Sequence, residues 1–174
     1  SRGNWFNISS NEWSRNDHNY SQITGAGVAS LHGSPVKVGG WLCKFDGTLL
    51  GSCNVSSDVL QYNGDTGEWD MIGQLDQART FPVAITLPAS VCNVPPPPPD
   101  SVIMVIGGRD DHYSRPNISD PASTIHNVSL ISQVEVFGCP GGDTPISYFP
   151  TSISGHASAA VVDGTALVCG GSTA

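Results

Sequence analysis

Residues 62–108 read YNGDTGEWDMIGQLDQARTFPVAITLPASVCNVPPPPPDSVIMVIGG, and two spacings organise them. Tyr62 and Trp69 flank the run Asn-Gly-Asp-Thr-Gly, which supplies tight-turn chemistry, so the two aromatics are expected to meet across a hairpin. Farther on, FPVAITLP and the apolar VIMVIGG read as two buried strands, the second ending in Gly107 and Gly108. Between them lies a Pro-rich insertion, residues 89–100.

The same plan recurs on either side. Phe6 opens FNISSNEW and leads to Gly39 and Gly40; Phe137 opens FGCPGGDT and leads to Gly170 and Gly171. From aromatic to first glycine the three distances are 33, 45 and 33 residues, and excising the 12-residue insertion brings the middle one to 33. GAGVASLHGSPVKVGG (25–40) aligns without a gap on HASAAVVDGTALVCGG (156–171), and DVLQYN (58–63) on QVEVFG (133–138). Trp13 and Trp69 each follow their aromatic by seven residues, whereas the third unit has Thr144 there. Such a fixed period is the mark of a repeat architecture.

Each unit therefore reads as four short strands: a small-residue strand, an apolar strand ending in Gly-Gly, a strand ending in an aromatic, and a strand carrying Trp. Diglycine after an apolar strand, with Tyr62 and Trp69 at this spacing, resembles the kelch repeat. DQARTFPVAITLP (76–88) likewise resembles the Arg-containing start of a kelch blade. The resemblance covers nearly the whole chain and implies an all-β fold, a kelch-type β-propeller fragment of antiparallel four-stranded blades. It amounts to about three blades' worth of an incomplete ring. The phase assigns 1–24 to the outer strand pair of a blade and 25–75 to a whole blade. It assigns 76–150 to a blade carrying the insertion and 151–174 to the inner pair of another. Because such a set leaves open sheet edges, the natural protein is expected to continue beyond this stretch.

Composition narrows the function. Charged residues make up only 13% of the 174 residues, the net charge is −8, and just seven residues are Lys or Arg. A cationic track to displace counterions from phosphates cannot be built from these, which argues against nucleic-acid partners and anionic membrane surfaces. The longest apolar run, Val102–Ile106, suits a buried strand and is far short of the ~20 residues of a spanning helix.

Five of the ten asparagines begin Asn-X-Ser sequons: Asn7, Asn19, Asn54, Asn117 and Asn127. Asn7 is expected in a hairpin turn, Asn54 in the loop after the first diglycine, and Asn117 and Asn127 in the equivalent later loop. A bulky hydrophilic glycan is tolerated at such places. The five cysteines show no metal-finger spacing. Cys43 and Cys53 bracket one loop and suit a local bridge. Cys92 and Cys139 fall in turns that emerge on one end of a blade, where a bridge would pin the insertion. Cys169, inside an apolar strand, is expected to be a buried free thiol. Sequons and local pairs together favour an oxidising, extracellular or cell-surface compartment. The Val94–Pro99 run is expected to be an extended polyproline strut.

Galactose and glyoxal oxidases, secreted copper-radical enzymes on kelch propellers, provide an enzymatic alternative. TSISGHASAAVVDGTALVCGG (151–171) resembles their blade start. Their chemistry needs a Cys crosslinked to a Tyr, yet Ser154 and Phe81 stand where those residues are looked for. Asp110, Asp111 and His112 form an acidic loop candidate, and His18, His32, His126 and His156 lack zinc-type spacing. The reading is thus a binding or structural scaffold with no catalytic set and no cofactor. Its expected partners are other extracellular proteins or glycans, or further copies of this chain.

Overall fold

The computed structural model describes residues 3–16, 22–43, 53–92, 100–114, 125–139, 144–148 and 154–172. Strand β1 (Gly3–Asn7) pairs with β2 (Glu12–Asn16), and a short β3 (Gln22–Thr24) leads into β4 (Gly27–Leu31) and β5 (Ser34–Val38). A hairpin of β6 (Trp41–Cys43) and β7 (Cys53–Val55) follows, then β8 (Asp58–Asn63) and β9 (Glu68–Gln74). The plan then repeats with β10 (Val83–Pro88), a 3₁₀ turn (Ala89–Cys92) and β11 (Ser101–Ile106). A second hairpin, β12 (Arg109–Ser114) with β13 (Ile125–Leu130), precedes β14 (Gln133–Phe137) and β15 (Thr144–Tyr148). Another pair follows, β16 (Ser154–Val162) with β17 (Thr165–Ser172).

Two four-stranded antiparallel sheets result, ordered β4-β5-β8-β9 and β10-β11-β14-β15. The chain runs outward strand by strand, then returns to start the next sheet, as blades of a propeller do. No closed barrel forms among the described residues.

Local chemistry sets the turns. His32 and Gly33 have φ of 52° and 79°, and Asp163 and Gly164 have 49° and 73°. Positive φ at both central residues is the two-residue hairpin turn whose twist matches the flanking strands. The gapless alignment of 25–40 on 156–171 is therefore an alignment of two inner hairpins with the same turn. In the sheet between them, the insertion takes this turn's place. The outer hairpins share a second device. Asn63 Oδ1 accepts from the amides of Asp65 (3.0 Å) and Thr66 (3.3 Å); Asn7 Oδ1 accepts from those of Ser9 (2.9 Å) and Ser10 (3.2 Å). Asn7 is thus the turn cap of its hairpin as well as a sequon.

Strand composition follows from where each strand lies. The innermost strands of successive sheets converge, β4 against β10 and β10 against β16. Small residues make that approach possible: a Cβ on Gly27 would meet the Pro82 carbonyl at 3.0 Å and Ala84 Cβ at 3.1 Å. Thr86 Oγ1 donates to Ser30 O (2.6 Å) and accepts from Ser30 N (3.1 Å), stitching β10 to β4.

Both faces of the second sheet are covered. One face gives Ile103, Val105 and Phe137 to a core shared with Leu31, Val36, Val38, Val59 and Leu75 of the first sheet's strands and return segment. The other gives Val83, Ile85, Leu87, Val102, Ile106, Val134 and Val136 to a core against which Ala157, Ala159 and Val168 pack. Each wholly buried Val or Ile contributes about 1.5–3 kcal/mol. Burial on both faces explains why VIMVI reads as a continuous apolar run. Thr144, in place of Trp, does not cost the second sheet its outer strand: Thr144 pairs with Val136.

Two expectations need correction. The loops after the diglycines are paired arms, so Asn54 lies in β7 and Asn127 in β13. Cys169 is free but exposed. Its partner Ser158 is exposed too, while the neighbouring pair Ala159 and Val168 turns to the core, so strand alternation sends Cys169 outward.

Candidate functional site

The best-built feature is the junction where the return segment 75–82 passes between the diglycines of two sheets. Gly39 and Gly40 have φ of 63° and 100°; Gly107 and Gly108 have 62° and 101°. These conformations are open only to glycine at reasonable cost. Space demands glycine as well: a Cβ on Gly39 would collide with the Arg79 carbonyl, and one on Gly108 would come within 2.8 Å of the Thr80 carbonyl. Bare backbones let Gly40 N donate to Arg79 O (2.8 Å) and Arg79 N to Ser56 O (3.2 Å). On the other side Thr80 N donates to Arg109 O (2.8 Å) and Arg109 N to Thr80 O (2.9 Å). Residues 79–80 are therefore clamped between two sheets by backbone bonds.

The clamp holds a wholly buried ion pair. Arg79 Nη2 bonds Glu135 Oε1, and neither side chain has solvent exposure. Arg79 Nη1 also donates to the carbonyls of Gly107 (3.1 Å) and Gln133 (3.0 Å), and Nε to that of Gln77 (3.2 Å). Glu135 Oε2 accepts from the Asp76 amide (2.7 Å). Burial pulls the Arg79 pKa down to about 10, with the Asp76 carboxylate pushing it up, so the guanidinium stays charged at neutral pH. Satisfying both ions with backbone groups is what makes burying them tolerable.

Above the clamp lies an aromatic and cationic cluster. Phe81 has a strained φ of 52° and donates its amide to Gly25 O (2.6 Å). Its ring meets Trp41 edge-on (centroids 5.6 Å apart), with the Arg109 guanidinium over it at 4.5 Å. Trp41 begins β6 and Arg109 begins β12, so the cluster roots both arms, and β12 adjoins β7. The Trp41 indole N–H is buried and has no acceptor among the described residues. The cluster offers donors and ring faces but no nucleophile and no base.

The remaining sequence candidates distribute as follows. Tyr62 and Trp69 are cross-strand partners with rings 5.5 Å apart, and Lys37 Nζ lies 3.9 Å over the Trp69 ring. Burial lowers the Lys37 pKa. Gly170 and Gly171 end β17 with φ of 80° and 87°. Cys92 and Cys139 are joined, with Cα atoms 5.5 Å apart, tying the β10–β11 connection to the β14–β15 turn. Cys43 and Cys53 stand opposite each other on β6 and β7. Asn7 and Asn54 are exposed. Asn19, Asn117, His18 and the whole Val94–Pro99 run lie outside the described residues.

Asp110, Asp111 and His112 are strand residues of β12, not a loop, and His126 and His156 lie in β13 and β16. His32 occupies a hairpin turn, and Ser154 begins β16. No group of three or more His, Cys, Asp or Glu able to hold a metal gathers among the described residues. No helix among them is long and apolar enough to cross a membrane. Sequence reasoning missed Glu135 and the Trp41–Phe81–Arg109 cluster. The available signal was Glu135 itself, one charge between two valines in a charge-poor chain.

Successive four-stranded sheets clamped at a shared glycine junction define an all-β, propeller-like protein. No family model and no curated protein matches the chain. Among solved structures it is similar to one titled "Structure of YjhT", with a TM-score of 0.63 and 14% sequence identity. The match covers 97% of this chain and 44% of that one, so the chain spans less than half of YjhT's length. At this identity the likeness is one of fold.

Proposed function

We propose that this chain supplies blades of a kelch-type propeller that acts in an oxidising, extracellular compartment as a binding or structural scaffold. It contacts other extracellular proteins, glycans or further copies of itself, and catalyses no reaction. The observation that carries the reading is the Cys92–Cys139 bridge, which joins two turns at one end of a sheet. Exposed sequon asparagines at positions 7 and 54 support it. The Phe81 ring, held between Trp41 and Arg109, has no hydroxyl with which to house a radical.

Expression of the full protein through a secretory pathway tests this reading. The expected product loses mass on glycosidase treatment, carries one titratable thiol on the chain described here, binds no copper and turns over neither galactose nor aldehydes. Five reduced thiols with an unshifted mass would make it an intracellular adaptor. Bound copper with turnover would make it an oxidase.

A further inference from the structure

We infer that Asn54 is an N-glycosylation site open only before the clamp around Arg79 closes. The inference rests on the compartment reading above. In the transfer, the asparagine amide nitrogen attacks the anomeric carbon of an oligosaccharide linked to a lipid pyrophosphate. The new C–N bond forms as the C–O bond to pyrophosphate breaks; the pyrophosphate keeps the electron pair and the amide releases a proton. The transferase reads the hydroxyl two residues beyond the asparagine, which is why the sequon is Asn-X-Ser/Thr.

For Asn54 that hydroxyl belongs to Ser56, and the folded protein has taken it. Ser56 is 7% exposed, and its Oγ accepts from the Asp58 amide at 2.9 Å. Its backbone is bound on both sides: N donates to Gly40 O (2.8 Å) and O accepts from Arg79 N (3.2 Å). Ser56 is therefore part of the clamp, while Asn54 stands exposed on β7, the edge of the sheet β3-β6-β7. The acceptor is presented and its recognition element is hidden.

The other sequons supply contrasts within the same chain. Asn7, Ile8 and Ser9 are all exposed in the β1–β2 turn. In the second arm, Ile131 N donates to Gly108 O (2.9 Å), which makes Ile131 the counterpart of Ser56. The sequon at Asn127 sits two positions earlier in that arm. Its hydroxyl residue, Ser129, takes the place of Asn54 and is exposed. Two equivalent arms thus carry the same motif in different phase, and only in the first does the hydroxyl-bearing residue belong, through its backbone, to the clamp that joins the sheets. A glycan attached early at Asn54 stays outside, because the asparagine faces solvent after folding.

The test presents unglycosylated chain, folded and oxidised, to a purified oligosaccharyltransferase with lipid-linked oligosaccharide, beside the same chain reduced and unfolded. Glycopeptide mass spectrometry reads occupancy at each site. The expected result is Asn7 occupied in both states, and Asn54 occupied in the unfolded chain but at least roughly tenfold less in the folded one, since access there requires opening of the clamp. Equal occupancy of Asn54 and Asn7 in the folded chain would overturn the inference, and so would an Asn54 left unmodified in the unfolded chain. The reaction is run on purified protein, so its outcome is separate from the secretion experiment: a secreted product without glycan would remove the compartment reading and leave this result to be judged by itself.

Discussion

The Phe137 ring lies against the backbone of Gly73, so near that a Cβ there would come within 2.6 Å of Cε2. Gly73 is in β9, the outer strand of the first sheet, and Phe137 ends β14 of the second, so one glycine admits the ring that seals the shared core. The aromatic near the end of the equivalent strand of the first sheet, Tyr62, instead meets Trp69 edge-on.

Gly73→Ala should destabilise the protein by about 1–3 kcal/mol, because the added methyl forces the ring out of a filled site. Phe137→Leu removes the obstacle, so in the double variant the two costs should sum to less than their separate values. Urea titrations of the four proteins check this.

Breaking the buried ion pair should cost more. Glu135→Leu leaves the Arg79 guanidinium charged, wholly buried and short of its carboxylate, a loss of about 3–5 kcal/mol. Adding Arg79→Met should recover part of that loss, since it removes the unpaired charge but leaves the Gln77, Gly107 and Gln133 carbonyls without the donors Arg79 gave them. Denaturation midpoints at neutral pH report both outcomes.

Much of the fold was legible because the repeat is written in backbone chemistry. The diglycines mark the clamp, the His32-Gly33 and Asp163-Gly164 turns mark the inner hairpins, and the Phe6 and Tyr62 spacings to Trp13 and Trp69 mark exact cross-strand pairs. What stayed hidden depends on partners distant in sequence. Glu135, between Val134 and Val136, reads as a solvent-facing position of an alternating strand; it is buried because the first sheet covers that face, and its partner is 56 residues away. Cys169 shows the converse error, an apolar strand with one open face. The arms β6–β7 and β12–β13 lack an alternating apolar pattern, so their pairing left little trace in the sequence.

Removing the disulfide should separate two contributions. Cys92→Ser with Cys139→Ser opens a link spanning 47 residues and should cost about 2–4 kcal/mol, with the sheets still formed. Thermal unfolding with and without reductant checks it: reductant should lower the midpoint of the parent by more than that of the double variant, which has only the proposed Cys43–Cys53 bridge left to lose.

Turn capping by asparagine should be measurable at Asn63. Asn63→Ala removes the acceptor for the Asp65 and Thr66 amides, at an exposed turn, and should cost about 1 kcal/mol. Asn63→Asp keeps an acceptor oxygen but sets a second carboxylate against that of Asp70, to which Asn63 Nδ2 donates (3.0 Å), so at neutral pH it should cost at least as much; equilibrium unfolding of both variants gives the comparison.

Native-state amide hydrogen exchange tests the clamp, on which the whole account turns. The amides of Gly40, Ser56, Arg79, Thr80, Arg109 and Ile131 each bond from one segment to another around residues 79–80 or the diglycines. They should exchange through one shared opening, with a common free energy that falls together in Glu135→Leu. If the Gly40 and Ser56 amides exchange freely while those of Thr80 and Arg109 stay protected, the two sheets are not joined through Arg79 and the propeller-like arrangement is wrong.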